Sequence, residues 1–210
     1  MSGQVMEAVP QKGMRSDSLQ ALFKAHWEAH QRLFDQLAPL QNEIVKAALM
    51  MAQSLKDGGR LLFFGNGGSA SDSLHLAAEL SGRLQQERRA LAAMSLSADP
   101  AALTAIANDY GYTEVFARQI AAHARAGDCA IAISTSGRSP NVLRALEQAR
   151  QIGVKTIALL GRDGGLAKSL AEVSVVVPHH DSARIQEAHI FIGHTWCAQI
   201  EQALGLVDEK

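Results

Sequence analysis

The chain predicts an α/β protein: a single doubly wound domain with a five-stranded parallel sheet flanked by helices, preceded by an N-terminal helical pair. Three observations carry that expectation. Five short apolar runs, residues 61–64, 92–96, 129–133, 156–160 and 173–177, are nearly continuous rather than alternating. Strands buried on both faces of a sheet read this way. Stretches of helical spacing separate these runs, and that alternation implies parallel pairing through crossover helices. Composition agrees, because 47% hydrophobic and 20% charged residues over 210 positions is ordinary usage for one substantial core.

Taken in order, residues 1–15 read as a mobile tail. From 16 to 58 the apolar positions Leu19, Leu22, Phe23, Trp27, Phe34 and Leu37, then Leu40, Ile44, Ala47, Met51 and Leu55, recur at helical spacing. Two helices broken near Pro39 satisfy the pattern and would serve packing and oligomerisation. Ser16 or Ser18 can cap the first, and Gly58-Gly59 stops the second. Residues 59–210 form the α/β core, and its last helix is expected from near Ala183 to about Leu204. Cys129 falls in a buried strand and Cys197 in a buried helix, without metal-type spacing, so both are expected as reduced core residues.

Charge narrows the partners. Twenty basic against 21 acidic residues leave a net charge of -1, with no long block of one sign. Bulk electrostatic attraction to nucleic acid or an anionic membrane is therefore not expected. No apolar run approaches the roughly 18 residues of a membrane helix, and the start of the chain lacks a signal-peptide pattern, so the expected location is cytoplasmic.

In a doubly wound sheet, ligands collect at the carboxyl ends of the strands. After the first strand comes Gly65-Asn66-Gly67-Gly68-Ser69-Ala70, which opens a helix and can present bare amides and a hydroxyl to a phosphate. After the third comes Ser134-Thr135-Ser136-Gly137-Arg138-Ser139-Pro140-Asn141, where four hydroxyls precede another helix and Arg138 adds charge. A serine-rich turn with an N-cap is the bland alternative. Two such loops at one sheet edge favour phosphate binding. Gly65-x-Gly67-x-x-Ala70 also fits a relaxed dinucleotide fingerprint, and Asp99 after the second strand could meet a ribose. The second hydroxyl-rich loop exceeds what a nucleotide needs, so no nucleotide cofactor is expected.

His75 and Glu79 stand four residues apart in the helix after Ser69 and so share a face about 6 Å apart. That spacing suits two ligands of one metal, or a base and the residue that orients it. In the last helix Gln186 and His194 are separated by roughly 12 Å of rise. One small centre touches both only if their side chains lean together or two subunits contribute. His189 shares a face with Gln186 and is a second candidate. His179-His180 reads as polar surface, and His26, His30 and His123 as structural.

Together these pieces form an ordered set, extended by Ala107-Asn108-Asp109-Tyr110-Gly111-Tyr112, Gly161-x-Asp163-Gly164-Gly165 and Arg184-Ile-Gln-Glu-x-His. The set resembles the phosphoheptose isomerases of the sugar isomerase (SIS) family over about residues 16–205. The resemblance implies an SIS-type domain that converts sedoheptulose 7-phosphate to D-glycero-D-manno-heptose 7-phosphate for bacterial surface heptose synthesis. It further implies a homotetramer with active sites between subunits, and one zinc per subunit held by His75, Glu79, Gln186 and His194. Carried over by position, Glu79 and His194 are the acid/base pair. Asn66, Gly67, Gly68, Ser69, Asp109, Ser134, Thr135, Ser136, Ser139 and Gln186 are the expected contacts to the sugar phosphate. A non-catalytic SIS protein that binds the replication initiator is also similar, and a sugar-phosphate sensor is a third reading. Retention of Glu79, His194 and the Ser-Thr-Ser-Gly stretch favours the enzyme. Ala183 stands where some isomerases carry Asp, with Asp181 nearby as a possible replacement.

Overall fold

A computed structural model describes residues 16–207 of the chain, so the expected N-terminal tail lies outside the described residues. Helix α1 (Ser16–Asp35) and helix α2 (Gln41–Lys56) meet at a single 3-10 turn, Ala38–Leu40. Pro39 sits in that turn because its ring has no amide to continue a helix. The alternating region follows as β1 (Leu61–Gly65), α3 (Gly68–Ser81), β2 (Ala93–Ser95), α4 (Pro100–Tyr110), α5 (Ala117–His123) and β3 (Cys129–Ser134). It continues as α6 (Pro140–Gln151), β4 (Lys155–Gly161), α7 (Ala167–Leu170), β5 (Val173–Val177) and α8 (Ser182–Ala203).

All five strands are parallel, in the order β2-β1-β3-β4-β5. The apolar runs therefore mark the strands to within a residue or two. Ala92 and Leu96 flank the short β2, yet they continue its ladder: the Leu61 amide donates to the Ala92 carbonyl at 2.9 Å and the Leu96 amide to Phe63 at 2.9 Å. Side chains alternate across the sheet. Leu61 and Phe63 join the core layer beneath α2, α3 and α8, while Leu62 and Phe64 join the layer on the opposite face, which Val142, Ala145 and Leu146 of α6 help to fill. Both cysteines are buried and free.

Three helix starts that bear on function are set by local chemistry. The Asp99 carboxylate accepts from the Ala101 and Ala102 amides and caps α4, with Pro100 at the first helical position. Asp181 caps α8 by accepting from the Ala183 amide at 2.9 Å. Both carboxylates thus have structural work, which weakens the ribose role weighed for Asp99 and the sugar-contact role weighed for Asp181. Ser139 occupies the N-cap of α6 but makes no side-chain cap bond, so its hydroxyl is not consumed there.

Candidate active site

Strand order reverses between β1 and β3, and the crevice beyond their carboxyl ends is where a doubly wound sheet takes its ligand. The two hydroxyl-bearing loops flank that crevice. They are tied together by a reciprocal amide pair: Asn66 Nδ2 donates to Asn141 Oδ1 at 2.9 Å, and Asn141 Nδ2 returns a bond to Asn66 Oδ1 at 2.8 Å. Tyr112 Oη also donates to Asn66 Oδ1 at 3.1 Å. Asn66 thus braces the mouth of the crevice as well as lining it.

The second loop is rigid for a nameable reason. Gly137 has φ +61°, and a Cβ there would lie 1.9 Å from the Gly164 carbonyl oxygen, so only glycine fits. The Ser134 hydroxyl accepts from the Gly137 amide at 3.1 Å, and the Ser136 hydroxyl accepts from the Arg138 amide at 3.3 Å. Each hydroxyl keeps its own proton to donate to a bound oxygen. The Gly161–Gly165 stretch in this setting is a brace beneath the loop. Arg138 departs from expectation: its guanidinium pairs with the Asp163 carboxylate rather than facing the crevice. Asp163 is held below the usual carboxylate range by the Gly165 amide first and also by Arg138.

Helices α3 and α8 run side by side from this edge. A Cβ on Gly68 would come within 2.2 Å of Gln186 Nε2, and one on Gly193 within 2.6 Å of Leu76 Cδ1. These close approaches at two levels bring Gln186 to the start of α3 and His194 beside His75. His75 Nε2 and His194 Nε2 are 2.8 Å apart, so one ring donates and the other accepts. Glu79 Oε1 lies 3.4 Å from His75 Nε2. Two imidazoles and one carboxylate therefore offer ligand atoms all within 4.8 Å of one another. Nitrogen and oxygen donors so grouped fit a zinc ion.

Gln186 stands apart from this trio. Its carboxamide lies against Gly68, about 10 Å of helix rise from His75. The wide spacing noted along the last helix thus persists within one chain, with Gln186 at the phosphate-loop end of the α3–α8 seam. Asp109 is exposed and accepts from Asn108 at 2.8 Å. Ser69 is buried at the start of α3, and Thr135 is half-buried.

His189 leaves the candidate list. It is fully buried, bonds to the Leu160 carbonyl through Nε2 at 3.0 Å, and burial lowers its pKa to about 4. Such an imidazole is neutral core. His30 packs on Phe34 and bonds to Glu187 at 2.8 Å, and His179 accepts from the Asp181 amide, so both have structural partners. One residue escaped the sequence reading. Asp72 lies one turn before His75, has a buried Oδ2 without a hydrogen-bond partner, and its pKa is raised by burial to about 6 while His75 pulls it down. The legible signal was its spacing, because 72, 75 and 79 fall on one helix face.

Comparison with known proteins agrees with this geometry. The SIS domain family model matches residues 26–161, which defines the class of protein. Within it, a phosphoheptose isomerase of Citrifermentans bemidjiense is 50% identical over 186 residues, covering 89% of this chain and 95% of the relative. A phosphoheptose isomerase of Helicobacter pylori is 50% identical over 189 residues, covering 90% and 97%. The structure of a phosphoheptose isomerase from Neisseria gonorrhoeae superposes with TM-score 0.84 at 42% identity, covering 88% of this chain and 99% of the other. One from Francisella tularensis gives 0.81 at 35%, covering 90% and 100%. The chain belongs to the phosphoheptose isomerase family, and it is an isomerase.

Proposed function

We propose that this chain interconverts sedoheptulose 7-phosphate and D-glycero-D-manno-heptose 7-phosphate through an enediol, supplying bacterial ADP-heptose for lipopolysaccharide core synthesis. The observation that carries the reading is the convergence of His75, Glu79 and His194 on the same helix seam that begins at the Gly65–Ser69 loop. The loop donors Ser69, Ser134, Thr135, Ser136 and Ser139 hold the phosphate, with the Gly67 and Gly68 amides at the start of α3. Binding energy gathered there orients C1 and C2 against the seam. Glu79 takes the proton from C1 and returns it to C2. His194 moves the hydroxyl proton from O1 to O2, work suited to an imidazole near neutral pH. Asn66, Asp109 and Gln186 are assigned to the sugar.

His75, Glu79 and His194 form the core of the zinc site we propose, and Gln186 would complete it as the fourth ligand. Zinc held there supplies Lewis-acid stabilisation of negative charge on the substrate oxygens. A carboxylate that binds metal is a weaker base, so Glu79 serves the carbon proton through its second oxygen. The homotetramer is likewise part of the proposal, as is a cytoplasmic location. Among the described residues no helix is long and apolar enough to cross a membrane. The initiator-binding and sensing readings lose ground, because neither needs an acid/base trio held at hydrogen-bonding distance.

Proton NMR of sedoheptulose 7-phosphate in deuterium oxide tests the reading. Aldose signals with deuterium at C2, and loss of the C1 proton signal, are expected. Unchanged substrate with the metal site filled would overturn it.

A further inference from the structure

The most buried ion pair among the described residues lies beyond the reacting trio. Arg88, in the loop after α3, is 1% exposed at its side chain, and Glu201 on α8 is 3% exposed. Arg88 Nε donates to Glu201 Oε1 at 2.8 Å. Nη1 donates to the Gly82 carbonyl at 2.7 Å and the Arg89 carbonyl at 3.0 Å, and Nη2 donates to the Glu79 carbonyl at 2.8 Å. One planar guanidinium thus grips the final turn of α3, its own loop and α8.

We propose that Arg88 is a positioning residue whose guanidinium fixes the Glu79 turn of α3 against α8, and so sets the Glu79 carboxylate relative to His194. The inference rests on the acid/base reading given above. Glu79 is bound by its own main-chain oxygen, so the constraint acts at the residue that carries the carboxylate. Glu201 lies seven residues beyond His194, two turns along and on the same helix face. The bridge therefore ties the turn that carries Glu79 to the helix that carries His194. Carbonyls in the last turn of a helix lack intrahelical partners, and a fixed donor both satisfies and orients them. A buried ion pair gives folding little that apolar packing of similar volume would not. Its particular contribution is direction, because the guanidinium fork holds several acceptors in one plane.

The test compares Arg88→Lys with a double variant, Arg88→Met with Glu201→Met. Lysine keeps the charge but cannot span the Glu79, Gly82 and Arg89 carbonyls together with Glu201. The double variant removes both charges, so folding survives without a stranded ion. Calorimetric titration with the reduced, non-isomerisable heptitol 7-phosphate counts intact sites, and kcat is expressed per site. We expect kcat to fall about 10- to 100-fold in both variants, as misplacement by about 1 Å does. Heptitol phosphate affinity and stoichiometry should stay within about twofold, since the phosphate loops lie at the other end of α3. Wild-type kcat per site in either variant overturns the inference. Glu79→Gln is run in parallel. If it is inactive while Arg88→Lys is fully active, only the positioning role fails; if it is active, the acid/base reading fails and the inference with it.

Discussion

Glu79 carries the heaviest chemical demand in the seam, because it borders both His75 and His194 and is assigned the carbon-bound proton. Glu79→Gln keeps the shape of the side chain and removes the base. Turnover should drop by about 10³-fold or more, within the range general-base removal produces, with circular dichroism and oligomeric state unchanged. Activity close to wild type in a continuous coupled assay would remove Glu79 from the mechanism. At this scale the sequence was informative wherever helix geometry alone joins residues. His75 and Glu79 are four apart, so their common face follows from 3.6 residues per turn. Which ring completes the group did not follow, since the meeting of His75 with His194 spans 119 positions and depends on how two helices pack. Arg138 misled for a related reason. A cation beside four hydroxyls suggested a phosphate contact, but its partner Asp163 sits on a later loop that only tertiary structure brings near.

The α3–α8 pair is the element on which the site is built, and two residues inside it make separate predictions. Gly193 lets the helices touch. In Gly193→Ala the new methyl would lie 2.6 Å from both Leu76 Cδ atoms, so this buried side chain must shift. Overpacking costs about 1–3 kcal/mol, partly offset by the better helix propensity of alanine at about 1 kcal/mol. A melting temperature lower by a few degrees is expected, together with reduced kcat because His194 is the next residue. A fully active variant melting at or above the wild-type temperature would show that the contact is not tight. His189 predicts a pH effect. Buried neutral with a pKa near 4, it binds its proton in the unfolded chain first. Its stabilising contribution is therefore complete above about pH 6.5 and is lost as pH falls toward 4. The full effect is on the order of 3 kcal/mol. His189→Gln, which can still donate to Leu160, should lose less stability between pH 7 and pH 5 than the wild type in urea titrations. Equal losses would show that His189 is not the group responsible. The boundaries of α8 were readable to within a residue, Ala183 to Leu204 expected against Ser182–Ala203 observed. The roles of its histidines were not, because burial on a helix that is apolar on several sides cannot be assigned from spacing alone.

For the molecule as a whole, the sheet was legible because parallel strands buried on both faces leave continuous apolar runs, whereas strand order was not, since it depends on where each crossover lands. The second half of the N-terminal helix packs on α8, while an apolar face that begins in its first half stays exposed. Its residues Phe23 and Trp27 are 71% and 53% exposed, and Leu19 and Leu22 share their face, an apolar stripe that a single copy leaves in water. A second copy of the chain is the occupant expected in the proposed tetramer. Phe23→Asp with Trp27→Asp should therefore shift the mass seen by light scattering from four chains to fewer; an unchanged tetramer would place the interface elsewhere. One consequence of α3 remains at this scale. In the proposed reaction the helix begins at the phosphate and carries His75 and Glu79 two to three turns later, so it would work as a gauge of fixed length. Each carbon added to or removed from an open sugar chain changes its reach by about 1.3 Å. A six-carbon phosphate anchored at the same loops would stop one carbon short of the reactive groups. Size selection would then need no dedicated pocket wall, only a helix too stiff to shorten.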